Sequence, residues 1–327
     1  MKNSQIKNNN QLVFFDMIKK VPHKGNALVN VVADLLGIGP DAAYRRMRGD
    51  KPVTLEETII LCRHFNISLN SLIGLDNYNL HPLENIKYID GFSSFVKTLS
   101  NNIENTKLSD KCEMIMSAVD VPMLHIMVFK ELTLFKLFSW SKNAYDFKGA
   151  FETFVKEINT DEFFNDDYKK ILNNYQLIPS TEICTDNIND TILNLISYHY
   201  EMKHFNDKTT PLLLCEQLLC ILNTIQNRAV KGTKGANNTP FKLYIGETDI
   251  SNTLIFFKSE EKSTCMVRLY DINGISISDE NFCRETENWL TKSIQQASLI
   301  SGTSVRERFN FFNAQKEKIE NFIKKFE

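Results

Sequence analysis

Between Gln11 and Gly74 the apolar positions recur at intervals of three and four, the spacing of one helical face, and turn-forming residues break the run into five pieces. The spacing predicts a first helix over Leu12–Lys20, with Phe14, Phe15 and Ile18 on one side. A second covers Ala27–Leu36 and a third Pro40–Arg48. The fourth, Leu55–Phe65, is opened by Thr54 with Glu57 three residues on, the reciprocal pairing of a capping box. The fifth, Leu69–Ile73, is capped by Ser68 and closed by Gly74. Residues 1–10 are polar and Asn-rich and read as a flexible arm.

Beyond "LDNYNLHP" the periodicity changes. Residues 77–104 read as a linker with a helical piece at Phe92–Ile103. "CEMIMSAV" (112–119) predicts a strand and "KELTLFKLFSW" (130–140) a helix, and residues 148–230 read as mainly helical. Within them "PLLLCEQLLCILNTI" is apolar nearly all round, the mark of a buried central helix. After the loop "KGTKGANNTP", three runs predict strands: "FKLYI", "TLIFF" and "CMVRLY". Asn273-Gly274 in "DINGIS" supplies a hairpin signal. Helices over Asp279–Ala297 and Ser304–Phe326 follow, and no internal repeat is found. The fold class expected is an all-α five-helix domain over 11–76, then an α+β domain over 105–327 with few antiparallel strands and mostly helices.

The third helix carries the chemistry. At about 100° per residue, Ala43 and Met47 fall together and face inward against the second helix, where Ala33 sits. Asp41, Ala42, Arg45 and Arg48 lie broadly opposite, with Tyr44 and Arg46 on the flanks. Gly37 suits the left-handed end of the second helix, Ile38 plugs the gap, Gly39 completes the turn, and Pro40 takes the first helical position. A helix so presented fits the major groove of DNA, where arginine pairs bidentately with guanine. Arg45 is the expected reader of base edges, with Ala42 available to a thymine methyl. Tyr44, Arg46, Arg48 and Lys51 are the expected phosphate contacts. Asp41 either steadies the helix dipole or accepts from a cytosine amino group.

This stretch resembles the helix–turn–helix of the XRE family, the lambda-repressor-like regulators. "ADLLGIG" is similar to the family's second helix and turn, and "RRMRGDKPVTLEETIILCRHFNISLNSLIG" to the end of its third helix through its fifth. Val29 stands where family members often carry Gln, and Met47 where they often carry Glu. The resemblance covers about Gln11–Gly74 and implies a transcription regulator whose remaining chain senses or dimerises. Its expected partners are double-stranded DNA, a second copy of the chain and an unknown small-molecule effector; no cofactor is implied. The alternative is an antitoxin-like adaptor that has kept the fold without reading DNA.

Charge agrees with a polyanion meeting the first domain. Residues 1–74 hold ten Lys/Arg against six Asp/Glu, net +4, and the remainder 28 against 34, net −6. No apolar run approaches the roughly 20 residues of a membrane span, and Lys2 and Lys7 precede Asn residues rather than an apolar stretch. Seven scattered cysteines without CxxC spacing read as reduced thiols of a cytoplasmic chain.

In the larger part no enzyme signature emerges. There is no HExxH, no Ala-Gly pair for self-cleavage, no histidine cluster of a cupin and no repeat near the ~34 residues of a tetratricopeptide array. Glu201 and His204 have a carboxylate-metal spacing, but a single such motif makes no site. His125, Cys215 and Cys220 read as core residues. Phe135, Phe138 and Trp140 either line a small-molecule pocket or build the core. The last helix, with Val305, Phe309, Phe312, Ile319, Ile323 and Phe326 in one stripe, either docks on its own sheet or pairs with a second subunit.

Overall fold

The tightest joint of the N-terminal part is set by one glycine. In the computed structural model, α2 (Leu28–Leu36) ends where Gly37 takes φ +62°, a left-handed conformation that costs a Cβ-bearing residue about 1 kcal/mol. Ile38 N–H then reaches Ala33 O at 3.0 Å and Gly37 N–H reaches Asp34 O at 3.3 Å, the two bonds of a Schellman motif. Gly39 is extended, and Pro40 opens α3 (Pro40–Met47), whose fixed φ suits a first helical position.

The structure describes residues 3–20, 27–65, 67, 78–80, 96–97, 99–104, 111–158, 160–246, 250, 252–260, 263–270 and 273–326. They divide into two units, Met1–Asn77 and Tyr78–Glu327. In the first, α1 (Asn3–Lys20) contributes Phe14, Phe15 and Ile18 to a core shared with Val32 and Ala33 of α2 and Ala43 of α3. Leu61, Cys62 and Phe65 of α4 (Leu55–Phe65) complete it. Residues 3–10, expected as a loose arm, are helical: the run lacks Gly and Pro, so nothing stops α1 from extending backwards. The expected fifth helix, Leu69–Ile73, with Ser68 and Gly74, lies outside the described residues, as does most of the expected linker.

The second unit is built on a mixed sheet, not on a few antiparallel strands. Among the described residues its strands are β1 (Tyr78–Leu80), β2 (Glu113–Ala118), β3 (Ser180–Cys184), β4 (Thr233–Lys234), β5 (Thr239–Ile245), β6 (Leu254–Lys258), β7 (Thr264–Tyr270), β8 (Asn273–Ile277) and β9 (Ser298–Leu299). They lie in the order β1-β8-β7-β6-β2-β3-β5-β4, with β9 also on β5. The central trio β2, β3 and β5 is parallel and every other pairing antiparallel. Parallel neighbours require helical crossovers. The first runs through α5 (Met123–Ile126), α6 (Lys130–Tyr145), α7 (Phe151–Glu157), α8 (Thr160–Phe163) and α9 (Asp166–Tyr175). The second runs through α10 (Asp190–Glu201) and α11 (Thr209–Lys231).

Both crossovers pack on one face of the sheet, against Met114, Met116, Cys184, Phe241 and Leu243, where Phe135, Phe138 and Trp140 are core residues. The other face, with Ile115, Ile183, Phe256 and Cys265, is covered by Cys283 and Leu290 of α12 (Glu280–Gln296). The outer edge of β5 is closed along its length. β4 pairs with Thr239 and Pro240, Phe241 N–H reaches Gly232 O, Ile300 N–H reaches Leu243 O, Ser301 Oγ accepts from Leu243 N–H, and β9 pairs with Tyr244 and Ile245.

Three further expectations change. α11 is not buried all round: Cys215 is in the core, but Leu213, Glu216 and Cys220 form an exposed stripe. Asn273-Gly274 does not form the hairpin turn. Asn273 pairs with Tyr270 and Gly274 with Arg268, so both residues belong to β8, and residues 271–272 lie outside the described residues. A Cβ on Gly274 would lie 2.9 Å from Val267 O, which explains the glycine by close strand approach. The stripe of α13 (Val305–Ile323) splits: Phe312, Ile319 and the following Phe326 are buried and the helix packs on α11, whereas Val305 and Phe309 are 65% and 59% exposed.

Gly37 and Gly39 both have open space where a Cβ would go, so they separate backbone strain from crowding. Gly37→Ala is expected to destabilise the N-terminal unit by about 1 kcal/mol and Gly39→Ala by much less, measured by urea denaturation of the full chain.

Candidate nucleic-acid interface and polar sites of the larger unit

α3 is held from beneath by small and flexible apolar groups. Ala43 is buried against Ala33, and Met47 packs partly buried on the same core. Such residues let two helix backbones approach closely and leave the opposite face in solvent. On that face Arg45, Asp41 and Tyr44 are exposed and Ala42 is half-buried. Arg48 closes the helix, exposed, with Nε 3.5 Å from Asp50 Oδ2 and its guanidinium 5.6 Å from the Tyr44 ring centre. Lys51 is exposed just beyond. The turn residues Gly37, Ile38 and Gly39 lie as the spacing predicts, with Ile38 packed against the core.

Arg46 departs from its expected role. The residue is only 6% exposed, and its side chain is spent inside the unit. Nε donates to Glu57 Oε2 at 3.0 Å, Nη2 to Glu57 Oε1 at 2.8 Å, and Nη1 to Ala42 O at 3.3 Å. A guanidinium held bidentately by a carboxylate is no phosphate ligand. Placed on the flank of α3 that meets α4, it finds the carboxylate already fixed there. Glu57 Oε2 accepts from Thr54 N–H at 3.0 Å while Thr54 Oγ1 accepts from Glu57 N–H at 3.2 Å, so the capping box and the ion pair share one side chain. Hydrogen bonding from Arg46 holds the Glu57 carboxyl below its ordinary value of 4.5, against the opposing effect of burial.

Gln11 was not singled out by the sequence. Its Nε2 donates to Arg46 O at 2.6 Å and Lys51 O at 2.8 Å, and its Oε1 accepts from Val53 N–H at 3.2 Å. One amide from α1 thus clamps the connection between α3 and α4. A polar residue beside an apolar stripe was the only available hint. Val29 is partly buried against the core.

Among the described residues of the larger unit, polar side chains gather in several places. The first surrounds Glu182 on β3, which is 1% exposed on the helix-covered face. It accepts from Tyr175 Oη at 2.5 Å and pairs with His125 Nε2 at 2.8 Å. Arg228 Nη1 lies 3.4 Å from His125 Nδ1 and 3.5 Å from Tyr175 Oη. Lys234 Nζ donates to Ser180 Oγ at 2.7 Å and sits 3.5 Å from the Tyr175 ring centre. Burial, then the charge of Glu182, pushes the Tyr175 hydroxyl well above its ordinary range. Burial opposes ionisation of Glu182, but His125, Tyr175 and Lys234 outweigh it and hold the carboxyl low. Burial brings the Lys234 ammonium down to about 7, with Glu182 opposing and Arg228 reinforcing. His125, Tyr175, Glu182 and Lys234 are buried and Arg228 is half-buried, so the cluster is an interior network bordered by Arg228.

The second place is a histidine pair in an aromatic nest: His199 Nδ1 and His204 Nδ1 are 2.9 Å apart, against Phe135, Phe138 and Tyr198. Burial, then the neighbouring His204 and Lys142, lowers the His199 value to about 4. Glu201, expected beside His204 if a metal were held, instead accepts from Ser197 Oγ at 3.0 Å. Among the described residues no group of three or more His, Cys, Asp or Glu is placed to hold a metal ion. The third place is a cleft at the carboxyl ends of β3 and β5, walled by α13. Among the described residues no helix is long and apolar enough to cross a membrane.

Comparison with protein-family models, curated proteins and solved structures finds no match to this chain.

Because Arg46 is bound internally, Arg46→Ala is expected to cost the N-terminal unit about 2 kcal/mol, against ≤ ~0.5 kcal/mol for Arg45→Ala or Arg48→Ala. Denaturant titration of the three variants checks this. The Arg46 contribution is present above pH 4.5 and fades as acid protonates Glu57. His199 runs with the opposite cause but the same direction in acid. Between 6.5 and about 4 the unfolded chain binds a proton that the folded chain refuses, so stability falls as pH drops through that window. Stability measured from pH 7 to 4 is expected to slope less in His199→Phe than in the natural chain.

Proposed function

We propose that this chain is a sequence-specific DNA-binding transcription regulator of the lambda-repressor-like kind, with α3 as its reading helix and the larger unit as a sensing or dimerising body. The observation that carries this reading is the division of α3. Ala43 and Met47 anchor it, while Arg45, Arg48 and Tyr44 stand in solvent, joined by Lys51. Arg45 is the base reader, pairing with guanine in the major groove. Arg48, Lys51 and Tyr44 bind phosphates and fix the register, with Ala42 facing a thymine methyl. Asp41, in the first turn of α3 with no capping hydrogen bond of its own, complements the helix dipole. Arg46, Glu57 and Gln11 position the helix without touching DNA. A homodimer supplies two reading helices for half-sites one helical turn apart, and such a regulator works in the cytoplasm.

An adaptor that binds protein instead draws support from the acidic residues on the same face: Asp41 is exposed and Asp50 engages Arg48. One experiment separates the two. Selection of bound duplex from a random pool is expected to return one motif, and salt titrations on that motif rank the residues. Arg45→Ala is expected to cost about 1–3 kcal/mol and relax preference at one base pair. Arg48→Ala and Lys51→Ala are each expected to weaken all sequences alike and lower the salt slope by about one. A chain that retains no duplex even at low salt, or arginine variants that bind unchanged, would overturn the reading.

A further inference from the structure

Parallel strands direct ligands to their carboxyl ends, because the loops leaving them diverge and open a crevice. Here β3 and β5 leave the sheet side by side, and a cleft of about 550 Å³ lies between Asp186 and Asn187 after β3, Ile245 and Gly246 at the end of β5, and one side of α13. That volume falls within the roughly 300–1,000 Å³ of small-molecule sites. Its floor is apolar and firm, with Ile300 and Phe311 buried. Gln315 stiffens the wall: it is 2% exposed, donates from Nε2 to Asp186 O at 2.7 Å and accepts from Asn189 Nδ2 at 3.2 Å.

The rim has a sign. Asp186 and Glu307 bring two exposed carboxylates without a partner among the described residues. The cation of the rim, Lys318, is committed: Nζ lies 3.0 Å from Asp190 Oδ1 and 3.4 Å from Asn187 Oδ1 and Asp186 O. An anion would meet unanswered negative charge, and a neutral occupant would desolvate the carboxylates without compensation. We infer that this cleft binds a small organic cation, a primary amine carrying an apolar body. The ammonium sits between Asp186 and Glu307, and the body lies on Phe311 and Ile300. The inference stands apart from the reading of α3, because its test contains no DNA.

The test is calorimetric titration of the full chain with butylamine, phenylethylamine and tryptamine at low and high salt, with phenylacetate as the control of reversed charge. At least one amine is expected to bind saturably, more weakly at high salt, and phenylacetate not at all. Glu307→Gln or Asp186→Asn is expected to weaken the amine at least about tenfold, the effect of losing a charge-assisted hydrogen bond. Ala314→Trp, an exposed substitution on the cleft wall, is expected to abolish binding while circular dichroism shows the fold retained. The proposal is overturned if no amine binds or phenylacetate binds equally. It is likewise overturned if both carboxylate variants bind as the natural chain does, or if Ala314→Trp leaves affinity unchanged in a folded protein.

Discussion

One carboxylate sets the geometry of the N-terminal unit. Glu57 completes the capping box of α4 and at the same time holds Arg46 of α3 through both of its oxygens. The two tasks reinforce each other: the cap holds the carboxylate in place, so less side-chain freedom is lost in pairing it with the guanidinium. Gln11 adds three hydrogen bonds from α1 to the same connection. The pose of α3 is therefore set by polar contacts near its end and by Ala43 packed on α2, while Arg45 and Arg48 stay on its exposed side.

The larger unit solves a different problem with similar means. Glu182 stands at the centre of a parallel trio, where apolar residues are the rule. It is tolerable because His125 from α5 and Tyr175 from α9 bind it directly and Arg228 from α11 lies against both of these, with Lys234 of β4 beside them. Removing His125 would leave the buried Glu182 carboxylate without its paired cation. The network thus ties both crossovers to the middle strand, something the surrounding phenylalanines, free to slide, do less specifically.

Local features were legible and distant ones were not. α4 spans the range its spacing predicts, and Asp279 caps α12 by accepting from Phe282 N–H at 2.8 Å. The turn at Gly37 and the inward stripe of Ala43 and Met47 also follow from residues within one helical turn. β3 was hidden because "STEIC" alternates no apolar face and its glutamate finds the partner His125 57 residues before it. Arg46 was misplaced for the same reason on a smaller scale: the wheel put it on a flank, and the deciding carboxylate lay eleven residues ahead. In α13, spacing put Phe309 with Phe312, yet a stripe wider than the surface it covers must leave members outside. The cleft at the strand ends had no linear signature at all, since it is assembled from three separated segments.

The closed flank of β5 has a bearing on behaviour at high concentration. A strand at the border of a sheet ordinarily offers a ladder of unmet amides and carbonyls on which a foreign strand can dock. Here two-residue β4 and β9, the backbone of Ile300 and the hydroxyl of Ser301 occupy those groups one after another, and Pro240 has no amide to give. Fibre-like stacking of chains is thereby denied a template on this border, so crowding can rise in the cell without the sheet recruiting its neighbours there.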